Sequence, residues 1–223
     1  MIKTLNIKSE LQEMCDILSS DGVFKIENYL KGDTLRNLHD EILNKCENEG
    51  SDYEFGRSYR GEAVSTFSSG SAISQVYDVE WMRVLHEAYA GYTDNYGMNV
   101  FATHDYKFDG ELARNGWLHF DRHWRLKFFI YLTDIDKSSG AFNCSAGSRP
   151  LGRELRNHAW GAKDYEGVKN RIELDYPELL EKWPCEPVEA PAGTLIVFDT
   201  DTFHKGGKCD KGKERLIVRL HCG

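Results

Sequence analysis

Apolar positions along this chain follow two periods, and the change from one to the other falls near residue 98. Residues 7–18 carry apolar side chains at 7, 11, 14, 17 and 18, the spacing of one helical face, with Ser9 and Glu10 near the start. Asp21-Gly22 ends this helix, and Val23-Phe24-Lys25-Ile26 predicts a short strand. A second amphipathic helix is predicted over 31–49, with Leu35, Leu38, Ile42, Leu43 and Cys46 as its buried stripe. A third is predicted over 79–92, with Trp81, Val84, Leu85 and Ala88 inward. Between them, residues 51–76 mix Ser and Gly with Tyr53, Phe55, Arg57, Tyr59 and Arg60 and show no clean period. A stretch of that length is read as a loop or lid.

From Met98 onward the pattern is that of strands: 98–108, 116–121, 125–133, 141–146, 185–189, 194–199 and 215–222, separated by turn-rich pieces. Residues 149–184 are polar and charged, a helical or irregular insertion, and Pro191-Ala192-Gly193 is a turn. Helices first and about eight short strands afterwards predict a mainly β fold with N-terminal helices, its core a double-stranded β-helix, the cupin-like jelly roll. We expect a single domain over 1–223, in which 1–97 form a helical buttress and lid loop and 98–223 the jelly roll.

With 223 residues, 40% apolar and 12% aromatic, the chain can bury a substantial core. Thirty-six acidic against 28 basic residues leave no surplus to neutralise phosphates, which argues against nucleic acid as a partner. Six scattered cysteines without a Cys-x-x-Cys pair read as reduced thiols, and no apolar run approaches membrane length, so a cytoplasmic protein with no membrane partner is expected.

The chemistry centres on Trp117-Leu118-His119-Phe120-Asp121. On an extended segment, His119 and Asp121 face the same way, with Phe120 opposite. An imidazole and a carboxylate side by side are two members of the 2-His-1-carboxylate facial triad, which needs one more histidine from elsewhere in the fold. His204, beyond the predicted strand 194–199, is the candidate, and Arg215 follows eleven residues later. His104, His123 and His221 are read as structural or supporting histidines, and His39, His86 and His158 as surface residues.

At this point three segments resemble the phytanoyl-CoA dioxygenase family of Fe(II)/2-oxoglutarate oxygenases: LSSDGVFKIENYLKGDTLRNLHDEI, HFDRHWRLKFFIYLTDIDKSSGAFNCSAGSRP and AGTLIVFDTDTFHKGGKCDKGKERLIVRL. The resemblance implies that His119, Asp121 and His204 bind Fe(II), and that Arg215 holds the distal carboxylate of 2-oxoglutarate through its planar fork. It also implies that Tyr131 lines the co-substrate pocket and that O2 is the second co-substrate. Ala146 and Arg149 depart from the family's Gly-Ser turn, and Gly206 from the Ser that often follows its second histidine. Asp121 favours hydroxylation over halogenation, since halogenating relatives carry a small residue there. The expected activity is hydroxylation of a small molecule with release of succinate and CO2. The alternatives are a metal cupin enzyme that works without 2-oxoglutarate and a non-catalytic ligand-binding jelly roll.

Alternation along 215–222 sends Arg215, Ile217, Arg219 and His221 to one face, with Arg219 roughly 13 Å beyond Arg215 at ~3.3 Å per residue. A guanidinium inside a barrel needs an acceptor. Asp105 or Asp109, the C1 carboxylate of 2-oxoglutarate, or an anionic group on the substrate are the candidates. Arg57 and Arg60 are read as possible substrate contacts beside Arg219, alongside their reading as a solvated loop.

Overall fold

The computed structural model describes residues 2–77, 79–91, 98–109, 116–160 and 169–222. Its strands are β1 (Lys3–Thr4), β2 (Val23–Ile26), β3 (Ser51–Tyr53), β4 (Gly56–Ala63), β5 (Asn99–Asp105), β6 (Leu126–Tyr131), β7 (Asn143–Cys144), β8 (Glu186–Pro187), β9 (Leu195–Asp199), β10 (His204–Lys205) and β11 (Arg215–Cys222). Its helices are α1 (Leu11–Ser20), α2 (Gly32–Asn48), α3 (Ala72–Tyr77), α4 (Glu80–Ala90), α5 (Arg149–Trp160) and α6 (Ile172–Asp175). An eight-stranded sheet in the order β1-β2-β9-β6-β11-β5-β4-β3 faces a three-stranded sheet, β10-β7-β8, which is the jelly roll. The four N-terminal helices cover the outer face of the large sheet.

Alternation sorts the side chains of the large sheet into two layers. Leu126, Phe128 and Ile130 of β6, Leu216, Val218 and Leu220 of β11, and Val100 and Ala102 of β5 pack under the helices with Leu18, Leu38, Ile42, Ile73 and Leu85. Fully burying an apolar side chain of this size contributes about 1.5–3 kcal/mol, which makes this layer the main source of stability. Tyr77 ties helix to sheet, its hydroxyl near the carbonyl oxygens of Val218 (3.0 Å) and Phe128 (3.3 Å). The opposite faces of the same strands look into the jelly roll, where Phe129, Phe198 and Phe142 cluster between the two sheets.

Several boundaries differ from the sequence expectation. α1 begins at Leu11, because residues 3–4 instead run parallel to β2, and Ile7 and Leu11 are exposed. Residues 51–63 are a hairpin, β3–β4, that extends the large sheet, and 72–77 are helical, so the stretch expected as a loop or lid is largely ordered structure. α4 is rotated from its predicted face: Met82, Leu85 and His86 are buried, whereas Val84 and Ala88 are exposed. His86, expected at the surface, packs against Trp124. The last residue of that predicted helix, Tyr92, lies outside the described residues, as do 161–168 of the predicted insertion. All six cysteines are free thiols. Among the described residues, no helix is long and apolar enough to cross a membrane.

Candidate active site

Residues 116–121 were expected to form a strand. They are instead an extended segment held by single bridges on both sides. His119 and His204 exchange main-chain hydrogen bonds, His119 N to His204 O at 2.9 Å and His204 N to His119 O at 2.8 Å. On the other side, Ile172 N donates to Leu118 O and Phe120 N to Asn170 O. Asp121 N is anchored on Thr200 O at 2.9 Å. Leu118 and Phe120 point down into a small core with Ile172 and Phe203, which leaves His119 and Asp121 on the opposite face.

The loop leading into His204 is clamped from the insertion. Asp199 and Asp201 are wholly buried; Arg149 Nε donates to Asp199 at 3.0 Å and Arg156 Nε to Asp201 at 2.5 Å. The Tyr89 hydroxyl donates to Asp199 at 2.6 Å. Gly152 of α5 sits against the Asp201 carbonyl so closely that a Cβ would stand 1.8 Å from the oxygen, so only glycine fits.

One ligand atom from each of His119, Asp121 and His204 lies within 4.8 Å of the other two. Each imidazole directs Nδ1 at a carbonyl oxygen two residues earlier, Trp117 O for His119 and Thr202 O for His204, both at 2.7 Å. Those bonds favour the tautomer with Nε2 free as a donor to a metal. Both Nε2 atoms are 3.5 Å from Asp121 Oδ1. Two imidazole nitrogens and a carboxylate oxygen converging on one point fit a divalent transition metal in a facial set. Burial, with His119 alongside, lowers the His204 pKa to about 4, which keeps the ring neutral and able to ligate. Burial pushes the Asp121 carboxyl up, but the Lys127 ammonium beside it overrides that and holds it well below the usual range.

The triad opens into a cavity of about 480 Å³ between the sheets, within the usual range for small-molecule sites. Arg215, Ile217, Arg219 and His221 line one wall, as alternation along the strand predicts, and Arg60 stands on its rim. Arg215 Nε donates to Asp105 Oδ2 at 2.8 Å, a second nitrogen donates to the same oxygen, and the third donates to Gly140 O. The Tyr53 hydroxyl donates to the other Asp105 oxygen. A guanidinium has five N–H donors, so two remain on Arg215 for an incoming carboxylate. Arg219 has no such partner among the described residues. Its Nε is buried without a hydrogen bond, as are Thr103 Oγ1 and His221 Nε2, and its guanidinium lies 5.6 Å from the Phe129 ring.

Two expected contacts fall elsewhere. Tyr131 does not line the cavity; its hydroxyl donates to Val188 O at 2.9 Å and accepts from Phe142 N at 3.1 Å, which locks it in the wall. Arg57 is on the far face of β4, where its guanidinium caps the end of α2 by donating to the carbonyls of Cys46, Glu47 and Gly50. Lys127, which sequence reasoning passed over, is at the centre of the site, with Nζ 2.6 Å from Asp121 Oδ2.

Residues 108–215 match the family model for phytanoyl-CoA dioxygenase (PhyH). The chain carries a phytanoyl-CoA dioxygenase domain. The match spans the triad and ends at Arg215, and it puts the protein in a family of the Fe/2-oxoglutarate-dependent oxygenase type, with Fe(II), 2-oxoglutarate and O2 as the cofactor set. The fold is similar to SnoN, the non-heme alpha ketoglutarate dependent epimerase of nogalamycin biosynthesis (TM-score 0.70, 14% identity, 95% of this chain and 82% of that one). It is also similar to the carbocyclase SnoK of the same biosynthesis (TM-score 0.63, 15% identity, 98% and 85%). AviO1 from Streptomyces viridochromogenes Tue57 aligns with a TM-score of 0.61 at 15% identity over 96% of this chain and 95% of that one. No curated protein sequence matches the chain.

Proposed function

We propose that this protein is an Fe(II)/2-oxoglutarate-dependent dioxygenase that hydroxylates a small molecule and releases succinate and CO2. The observation that carries the reading is the convergence of His119 Nε2, His204 Nε2 and one Asp121 oxygen in the wall of a cavity that Arg215 and Arg219 also line. These three side chains would hold Fe(II), which supplies O2 activation coupled to decarboxylation of the 2-oxo acid. The catalytic unit is the jelly roll, to which β2, β3 and β4 add strands from ahead of residue 98, with the N-terminal helices as its buttress.

The chain's own residues divide the remaining work. His119 and His204 stay neutral and oriented through their Nδ1 bonds to Trp117 O and Thr202 O. Arg215 receives the distal carboxylate of 2-oxoglutarate on its two uncommitted N–H groups, while Asp105 and Gly140 fix the plane of its fork. Arg219 and Arg60 face the substrate space, and the unpartnered Nε of Arg219 suits an anionic group there. The Phe101 and Phe129 side chains supply apolar contact on either side of Arg219 in the sheet.

A second reading, a metal cupin that needs no 2-oxo acid, is favoured by one observation: Asp105 already neutralises Arg215. Epimerisation and carbocyclisation, the activities named for SnoN and SnoK, are further outcomes the same oxidant permits. The test is anaerobic loading with Fe(II), addition of 2-oxoglutarate and O2, and measurement of succinate together with the mass of products from a metabolite panel. Succinate formation that a chelator abolishes, with a product 16 mass units heavier, is the expected result. Turnover of a substrate without 2-oxoglutarate would establish the cupin reading instead.

A further inference from the structure

Lys127 is an unusual residue for its place. It interrupts the apolar run of β6, its neighbours in register are Phe198 on β9 and His221 on β11, and its side chain is 11% exposed. Its ammonium stands 5.7 Å from the Phe198 ring and 2.6 Å from Asp121 Oδ2. Burying a lysine is costly unless it is paired, and an asparagine or glutamine would fill a merely structural hydrogen-bonding role without a buried charge.

The geometry divides the two oxygens of Asp121. Oδ1 is equidistant, at 3.5 Å, from the Nε2 atoms of both histidines, while Oδ2 is turned aside to Lys127. Charge adds a second role. With neutral histidines, Asp121 and Lys127 sum to zero and Asp105 balances Arg215, so a divalent metal and a dianionic 2-oxo acid would leave the filled site with only the charge of Arg219. Without the ammonium, the same assembly would lose one positive charge inside a shielded cavity, where charges interact more strongly than in water.

We propose that Lys127 is a positioning residue for the metal centre: it holds Asp121 to one-oxygen ligation and supplies the positive charge that lets a dianionic co-substrate share the site. This rests on the triad reading above. It has a consequence of opposite sign for two ligands. Removing the charge takes a cation away from the neighbourhood of the metal, which strengthens metal binding, and takes a cation away from the co-substrate, which weakens its binding.

The experiment uses Mn(II), which is inert to O2 on this timescale, and 2-oxoglutarate, each titrated calorimetrically at pH 8 into the full-length protein. Lys127→Gln retains a donor for Oδ2 without the charge, Lys127→Met removes both and serves as a second neutral variant, and Lys127→Arg keeps the charge. The neutral variants are expected to bind Mn(II) at least about tenfold more tightly. Their Mn(II) forms are expected to bind 2-oxoglutarate at least about tenfold more weakly, a shift of about 1.4 kcal/mol in each direction. Lys127→Arg is expected to match the unaltered protein in both. If the two affinities fall together, or neither moves, Lys127 is a packing partner and the proposal is overturned. If the unaltered protein shows no Mn(II) binding that His204→Ala abolishes, the triad reading itself fails, and that result is separate from any Lys127 variant.

Discussion

Asp105 occupies one edge of the Arg215 guanidinium, accepting from Nε at 2.8 Å in a wall where both side chains are buried. The two residues are register partners on adjacent antiparallel strands, so the pair is built into the sheet. Burial pushes the Asp105 carboxyl up, against the pull of Arg215. Arg215 therefore has a structural partner as well as the proposed co-substrate, and the two roles separate by mutation. Arg215→Ala is expected to cost about 3–5 kcal/mol of stability, because it strands a buried carboxylate. It should also raise the apparent 2-oxoglutarate constant about a hundredfold, the equivalent of ~2.7 kcal/mol. The double variant Arg215→Ala/Asp105→Asn should recover most of the stability and none of the affinity. Urea midpoints and succinate assays read the two quantities; recovery of affinity in the double variant would remove Arg215 from the co-substrate site.

His204→Ala and His119→Ala each delete a nitrogen from the three-atom set. Both are expected to lose metal at micromolar Fe(II) and to form no succinate above background. Metal analysis after desalting checks the first, and normal succinate formation by either variant would sink the assignment.

Arg219→Ala separates substrate from co-substrate. The substitution removes a guanidinium whose Nε has no partner in the wall, so little stability should be lost. Substrate-stimulated turnover should fall by tenfold or more, while decarboxylation of 2-oxoglutarate in the absence of substrate should persist. A parallel fall in both activities with a lowered melting temperature would make Arg219 a core residue.

Arg57→Ala should behave in the opposite way. Three carbonyls at the C-terminal end of α2 lose a charged donor, which is expected to cost about 1–3 kcal/mol. KM and kcat at a temperature well below melting should not change. A raised substrate KM would return Arg57 to the cavity.

Two histidines outside the triad add to the acid limit that His204 sets. Burial lowers the pKa of His86, and burial with Lys127 and Arg219 nearby lowers that of His221. Both prefer the neutral form when folded, so the unfolded chain takes up protons first, near the ordinary value of about 6.5. Their contribution to stability is complete above that pH and is lost as pH falls below it. Melting temperature should drop between pH 7 and 5, and His221→Phe should flatten that slope while raising the melting temperature at pH 7, because an unpaired buried nitrogen is removed. An unchanged slope would exclude His221 as a contributor.

Hydrophobic pattern was sufficient for the strands that meet the helix-covered core. β2 and β11 lie where alternation put them, and the face of β11 that carries Arg215 and Arg219 was legible from its period alone. Pattern failed where an element faces the polar cavity. β4 presents Ser58 and Arg60 to the site and Arg57 to a helix end, so only Tyr59 near its centre is buried, and the strand looks like a loop. The α4 phase slipped because a polar residue, His86, occupies its buried face. Lys127 was missed for a related reason: inside an apolar strand a single lysine reads as an exception, and its partner Asp121 is placed beside it by a fold that no local pattern encodes.

The reciprocal main-chain bonds between His119 and His204 have one more consequence, for which ion the centre holds. Two imidazoles pinned by backbone hydrogen bonds, with the Asp121 main chain pinned at Thr200 and its carboxylate held by Lys127, make a set whose spacing is fixed before any ion arrives. Such a set cannot adjust to reward iron. Its preferences follow the general order in which Co(II), Ni(II), Cu(II) and Zn(II) all bind nitrogen and oxygen donors more tightly than Fe(II). Metal identity is then decided by supply, and protein purified aerobically is expected to carry zinc or nickel, to be silent in turnover, and to gain activity only after stripping and anaerobic reloading.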